Sequence, residues 1–307
     1  MNALAKRLQQ IVSETLLLPA AGETAARHRR LFEVAREDLT LAKLAEAHWD
    51  VVAILAEAGR KPAPNALYAV WASEIPGRAL QLSPEDHGYT ISGQKAFCSG
   101  IGLVDRALMT TGGEDPLLLD LDLRANRNRW EADLTTWQVD AFRDTQTGGL
   151  TLNAATLSAD SIIGKPGWYI TRPGFWHGAC GPAACWAGGV AGLLDAAMAN
   201  KRDDPHTLAH LGAMYADVWA LQSLLTQAAH EMDGAPTDVI AAQIRALALR
   251  HTVEQLATDV LRRFARAYGP QPLAMNQYVA RRYAEVDLYL RQSHAERDLH
   301  ALAQLLR

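Results

Sequence analysis

The spacing of apolar residues changes twice along this chain, and each change limits what the segment concerned can become. Over residues 1 to about 60, Leu4, Leu8, Ile11 and Val12, then Leu39, Leu41, Leu44, Ala45, Ala53, Ile54 and Leu55, recur at helical spacing. The run Lys61-Pro62-Ala63-Pro64-Asn65 ends that texture, because proline cannot continue a helix and biases its predecessor toward extended geometry. From about 66 to 163, short apolar runs (ALYAVWAS, YTISG, KAFCSG, RALMTT, PLLLDLDL, TLNAATLSA) alternate with Gly, Pro, Asp and Asn, as in an antiparallel β unit. Asp120 and Asp122 interleave with Leu119, Leu121 and Leu123, which assigns one face to a core and the other to water. From about 167 the pattern is helical again. The stretch GACGPAACWAGGVAGLLDAAMA is rich in small residues that let helices approach closely, and a later helical stretch stops at Gly269-Pro270. The expected fold class is mainly α with a central antiparallel β domain. Its parts are a shortened N-terminal helical domain (1–62), a middle β domain (63–165) and a C-terminal helical bundle (166–307).

Composition narrows the partners. A net charge of −4 argues against bulk attraction to nucleic acid or to an anionic membrane. The basic cluster Arg27, Arg29, Arg30 reads as a solvated helix face. Cys98, Cys180 and Cys185 have neither a metal-ligand spacing nor the makings of a disulfide framework, which suits a reducing cytoplasm. The opening residues are amphipathic and interrupted by Glu14, and no window reaches ~18 uninterrupted apolar residues. A soluble, cytoplasmic protein is expected, with no membrane or nucleic-acid partner.

The stretch from Tyr89 to Gly100 reads as a strand, a tight turn at Gly93 and a second strand. Alternation puts Phe97 and Ser99 on one face. An aromatic ring beside a hydroxyl can cover a flat cofactor and hydrogen-bond its rim; the alternative is an ordinary hairpin with Phe97 in a core.

The order helices, β unit, bundle, taken with this stretch, resembles the acyl-CoA dehydrogenase superfamily over nearly the whole chain. The family's second β motif, Gly-x-Lys-x-aromatic-apolar-Thr/Ser, is matched by Gly93, Lys95, Phe97, Cys98 and Ser99. Its first, an apolar strand ending in Thr/Ser-Glu-x-x-Gly, looks like Tyr68-Ala69-Val70-Trp71-Ala72-Ser73-Glu74-Ile75-Pro76-Gly77. The resemblance implies FAD as cofactor, with Phe97 and Ser99 flanking the flavin ring and Trp71 and Ser73 meeting its pyrimidine edge. It also implies a dimer or tetramer packed through the C-terminal bundle.

Departures from the family pattern are equally specific. Where relatives carry Arg-x-x-Phe-Gly, this chain has Asn200-Lys201-Arg202-Asp203-Asp204-Pro205-His206. Where they carry a glycine-rich turn for the diphosphate, it has Arg266-Ala267-Tyr268-Gly269-Pro270, and Pro270 removes a backbone donor. Arg202 or Arg266 could supply a compensating charge beside Gly269.

The late segment Asp287-Leu288-Tyr289-Leu290-Arg291-Gln292-Ser293-His294-Ala295-Glu296-Arg297-Asp298 corresponds to the family's catalytic base in more than one register. One places Gln292 there, and an amide cannot take a proton at neutral pH. A second brings Glu296 within a residue of it. A third resembles the flavin monooxygenase branch, with Asp287 and His294 on one helix face and His294 as acid or base; the alternative for His294 is a solvated residue paired with Asp298. The run Arg172-Pro173-Gly174-Phe175-Trp176-His177 sits where relatives line the substrate, which makes Arg172, Phe175, Trp176 and His177 candidates for that contact. Ala179 stands where relatives support the coenzyme A arm with arginine. His48 and Trp49 could close a pocket or simply pack.

The resemblance therefore implies an FAD-dependent oxidoreductase acting on an acyl thioester or related small molecule. Two alternatives stand beside it: a flavin-dependent monooxygenase, and a degenerate member that binds a metabolite or partner without redox turnover.

Overall fold

The structure, a computed structural model, describes residues 3–74 and 77–307. Ile75 and Pro76, within the first β motif, lie outside the described residues. The helices are α1 (Ala3–Val12), α2 (Thr24–Glu37), α3 (Leu39–Glu57), α4 (Trp168–Thr171), α5 (Pro173–Gly178), α6 (Cys180–Met198), α7 (Pro205–Gly234), α8 (Val239–Tyr268), α9 (Pro270–Met275), α10 (Gln277–Leu290) and α11 (Glu296–Leu305). The strands are β1 (Tyr68–Trp71), β2 (Gln81–Glu85), β3 (Gly88–Cys98), β4 (Arg106–Thr110), β5 (Leu118–Asp122), β6 (Trp130–Asp133), β7 (Gly148–Leu157) and β8 (Ile162–Ile163). Contacts divide the chain into two compact units, Met1–Thr15 with Ala47–Phe175 and Leu16–Glu46 with Trp176–Arg307. The N-terminal helices are thus shared, with the start of α3 in one unit and its end in the other.

The first unit holds two four-stranded sheets, ordered β1-β4-β5-β8 and β2-β3-β7-β6. The expectation of a wholly antiparallel β unit needs one correction, since β1 pairs parallel to β4, with Tyr68 opposite Arg106 and Trp71 opposite Met109. Strand β5 and the residue after it bury the leucines that interleave with the aspartates, Leu119, Leu121 and Leu123. Its aspartates do not simply face water, because Arg106 bridges Asp120 at 2.9 Å and Asp122 at 2.8 Å. The core gathers Val51, Ile54 and Leu55 of α3 with Tyr68, Leu108, Leu118, Ile163 and Tyr169.

The second unit packs α2 and the start of α3 with α6 to α11. The small residues of α6 serve close approach: a Cβ on Gly188 would lie 2.2 Å from the Phe32 carbonyl oxygen of α2. Side chains cap the long helices, Asp204 receiving the Thr207 N–H and Asp238 the Ala241 N–H. Arg282 answers the open end of α2, donating to the carbonyls of Ala35 at 3.0 Å and Glu37 at 2.7 Å. Arg27 is buried and donates to the Leu17 carbonyl at 2.9 Å, so the basic cluster on α2 is not wholly a solvated face. No helix among the described residues is long and apolar enough to cross a membrane.

Candidate functional site

The stretch read as a hairpin is one continuous strand. Gly93 lies inside β3 at φ +133°, where its backbone passes so close to β2's approach that a Cβ would stand 2.6 Å from the Ala79 carbonyl oxygen. Register shifts against β7 fall between Ile91 and Gly93 and again between Lys95 and Cys98. The second irregularity sets the site. Each extra residue in a bulge re-aims the side chains beyond it. Lys95 and Cys98 turn inward and are buried, while Phe97 turns outward, 68% exposed, with φ +56°.

Two anchors hold this strand end. The Lys95 ammonium donates to Thr110 Oγ1 at 2.9 Å, and that hydroxyl donates onward to the Ala72 carbonyl, which ties β3 to β4 and to the residue after β1. Burial lowers the Lys95 pKa, opposed by the Glu74 carboxylate. Burial also pushes the Cys98 thiol up to about 12, so no thiolate forms beside Phe97 near neutral pH.

Ser99 joins a run of hydroxyls. Its Oγ lies 2.8 Å from Thr147 Oγ1, which lies 2.7 Å from Thr145 Oγ1, and Thr145 donates to the Phe142 carbonyl. Trp71 donates its indole N–H to the Ser99 carbonyl at 2.9 Å. The Trp71 ring is only 2% exposed, so it serves as a clamp on the Ser99 backbone rather than as an open wall. Ser73 is exposed just beyond β1. Phe97 is thus an exposed ring two residues before the half-buried Ser99 hydroxyl, which the buried Thr147 hydroxyl backs from within. Thr147 was missed from sequence; the alternation Thr145-Gln146-Thr147 running into β7 was its only signal.

The candidate substrate residues fall into different roles. Arg172 is buried, ion-paired with Glu57, and stacked 5.4 Å over Trp168 and 5.2 Å over Tyr169. It holds α3 against α4 and is spent on protein. Phe175 meets Tyr169 edge-on at 5.4 Å and packs on the core of the first unit. Trp176 and His177 belong to the second unit. Trp176 is half-buried, and His177 is buried with Nε2 3.0 Å from the Pro236 carbonyl. His48 packs under the first sheet and accepts the Tyr68 N–H at 3.2 Å; burial lowers its pKa to about 4.

In the second unit, the helix that the shared face of Asp287 and His294 requires breaks in two. Helix α10 stops at Leu290, Ala295 takes φ +48°, and Asp298 accepts the His294 N–H while facing His294 Nδ1 at 3.2 Å. Asp287 and His294 therefore do not share a helix face. Asp287 pairs instead with Arg291 at 3.7 Å. Gln292 is exposed and its carbonyl accepts from Arg250 at 2.8 Å; Glu296 is exposed in the first turn of α11. Arg266 is exposed in the last turn of α8, and Gly269 ends that helix at φ +67°, donating to Ala265. Arg202 donates to the Ala267 carbonyl at 2.9 Å and to Asp204 at 3.1 Å.

A buried charged cluster in this unit was invisible in the sequence, because its members come from α3, α6, α8 and α10. The Lys43 ammonium lies 5.9 Å from the Tyr289 ring centroid, Tyr289 meets Trp186 edge-on at 6.1 Å, and Arg250 stacks 4.6 Å over Trp186. Burial lowers the Lys43 pKa to about 8, against the opposing pull of Glu46. Burial also raises the Tyr289 and Cys185 pKa values well above their ordinary ranges, leaving both groups protonated.

No family model matches this sequence, and no curated protein matches it. Solved structures do. TdsC from Paenibacillus sp. A11-2, a dibenzothiophene monooxygenase solved with FMN and indole, matches with TM-score 0.80 at 17% identity, over 99% of this chain and 95% of its own. Butyryl-CoA dehydrogenase from Megasphaera elsdenii matches with TM-score 0.80 at 16% identity, over 99% of this chain and 89% of its own. The chain has the acyl-CoA dehydrogenase fold. A nitrososynthase from Micromonospora carbonacea var. africana shares it, with TM-score 0.80 at 14% identity over 98% of this chain and 88% of that one. The acyl-CoA dehydrogenase fold thus spans this chain from its first helices to its last, which accounts for the order of helices, sheets and bundle.

Proposed function

We propose that this protein binds a flavin against Phe97 and is a flavin-dependent oxidoreductase acting on a small molecule. The observation that carries the reading is the placement of Phe97, 68% exposed at φ +56°. A left-handed backbone costs a non-glycine residue about 1–2 kcal/mol, and so exposed a ring recovers little of that by burial. Strain of this kind gathers at functional positions. A flat ring stacked on Phe97 gives the placement a use, and the half-buried Ser99 hydroxyl two residues on, backed by Thr147, suits the polar rim of an isoalloxazine. Bound there, a flavin supplies hydride or dioxygen chemistry; the chain's own part is to hold the ring and keep the Cys98 thiol away from it.

FAD is the form that the motif resemblance implies, and FMN is the form bound in TdsC. We favour FMN. Arg202 is spent on Ala267 and Asp204, and Gly269 closes a helix, so neither is poised for a second phosphate and an adenosine. An acyl thioester is the less favoured substrate, since Gln292 cannot act as a base and Glu296 is a solvated carboxylate. The likeness to TdsC, a dibenzothiophene monooxygenase, supports the oxygenase reading. A homodimer in the cytoplasm completes the proposal.

A second reading keeps the fold without redox turnover. It is favoured by one observation: Gln292, His294 and Glu296 are all exposed. Absorbance near the flavin bands and thermal shift with FMN and FAD separate the two. A ligand at a hundredfold excess over its Kd stabilises by about 2.7 kcal/mol. The flavin reading expects that shift, and expects Phe97→Ala and Ser99→Ala to reduce it. Protein that is colourless and that neither flavin stabilises overturns it.

A further inference from the structure

We propose that the first unit carries a second small-molecule site, for a monocarboxylate with an apolar body, in the groove where α1 meets the ends of β4 and β5. The groove encloses about 500 Å³. That volume is within the ~300–1,000 Å³ typical of ligand pockets. Its floor is apolar, with Leu67, Leu103, Val104 and Leu123. Three charged groups line it: Asp105, Arg124 and Arg127.

These charges are organised. Asp105 is buried, accepts the Leu67 N–H at 2.8 Å and pairs with Arg124 at 2.5 Å, so its charge is answered within the protein. Arg127 has no such answer: its guanidinium has no carboxylate partner among the described residues. It is nevertheless held in place, stacked 4.4 Å over the Trp130 ring, and that ring is fixed by its own N–H bond to the Leu123 carbonyl at 2.9 Å. A guanidinium held over an aromatic ring with no carboxylate partner keeps N–H groups for an acceptor with two oxygens, which a carboxylate supplies. Two guanidinium groups against one carboxylate leave one positive charge unmatched, which selects a monoanion over a dianionic phosphate. The floor then takes the ligand's hydrocarbon part. None of these residues belongs to the Phe97 patch.

Calorimetric titration of the full-length protein with benzoate, its neutral isostere benzamide and phenyl phosphate tests the assignment. The expected result is saturable benzoate binding at least about tenfold tighter than benzamide, as charge-assisted pairing requires. Arg127→Ala should lose about tenfold in benzoate affinity and erase the preference over benzamide. Arg129→Ala should bind benzoate as the parent does, because the Arg129 guanidinium donates to the Ala154 carbonyl and does not line the groove. Phe97→Ala should also leave benzoate binding intact while Arg127→Ala leaves flavin content intact, so this proposal and the flavin reading fail separately. Equal affinity for benzoate and benzamide, parental affinity in Arg127→Ala, or tighter binding of phenyl phosphate overturns the assignment.

Discussion

Trp71 and Ser99 are joined by a 2.9 Å hydrogen bond from the indole N–H to the main-chain oxygen, which fastens the end of one sheet to the end of the neighbouring sheet's longest strand. The bond fixes the backbone two residues beyond Phe97. Trp71→Phe keeps most of the buried ring and removes this donor to the Ser99 carbonyl. The expected cost is about 0.5–1.5 kcal/mol, the net contribution of one hydrogen bond. Chemical denaturation measures it, and flavin affinity should fall with it because Ser99 is no longer pinned. Unchanged stability with unchanged flavin affinity would show the clamp to be idle.

The sequence revealed periodicities but not the partners that bend them. Helix, strand and helix textures were legible, and so was the stop at Gly269-Pro270. Gly93 reads as a turn in the sequence because a glycine at positive φ serves a turn and a bulge alike; only its pairing with β7, remote in sequence, distinguishes them. Strand β2 is not legible in the sequence because Pro84 and its polar neighbours do not look like a strand, yet β2 is an edge, where a missing N–H is harmless. The break after Leu290 has no glycine or proline to mark it, and it depends on the Asp298 cap at His294. The Lys43–Tyr289–Trp186–Arg250 stack needed the bundle itself to bring four helices together.

Acid should destabilise the protein through His28 and His48. Burial lowers both from 6.5 to about 4 in the folded state. A folded pKa below the unfolded one means that the unfolded chain binds more protons as pH falls. The stability that these neutral rings contribute is therefore fully present above about pH 6.5 and is lost progressively down to about pH 4. Each ring is worth roughly 3 kcal/mol across that window. Melting curves at half-unit pH steps check this, and His28→Gln should flatten the slope between those limits. A melting temperature constant over the window would refute it.

Lys95 should tolerate loss of its charge better than loss of its length. The side chain is 1% exposed, and burial already disfavours its ammonium form. Lys95→Met fills the same space without a buried cation, and Thr110 keeps its bond to the Ala72 carbonyl. A change within about 1 kcal/mol in either direction is expected, whereas Lys95→Ala leaves a cavity and should cost about 2–4 kcal/mol. Urea titrations of the two variants give the comparison, and equal losses would show the charge rather than the packing to be essential.

Phe97→Gly should separate stability from ligand binding. At φ +56° glycine carries no steric penalty, while phenylalanine pays about 1–2 kcal/mol. Against this gain, glycine gives the unfolded state more entropy, which costs the fold about 0.4–1 kcal/mol, and the ring, being 68% exposed, forfeits little burial when removed. Relief of strain wins by a small margin, so the apo protein should melt at an equal or slightly higher temperature. Flavin affinity should move the other way, because the surface against which an isoalloxazine would stack is gone. Stability up and affinity down in one variant is the signature of a residue kept in strain for a ligand. A clear loss of apo stability would mean instead that Phe97 is held by packing, and the flavin reading would lose the observation that carries it.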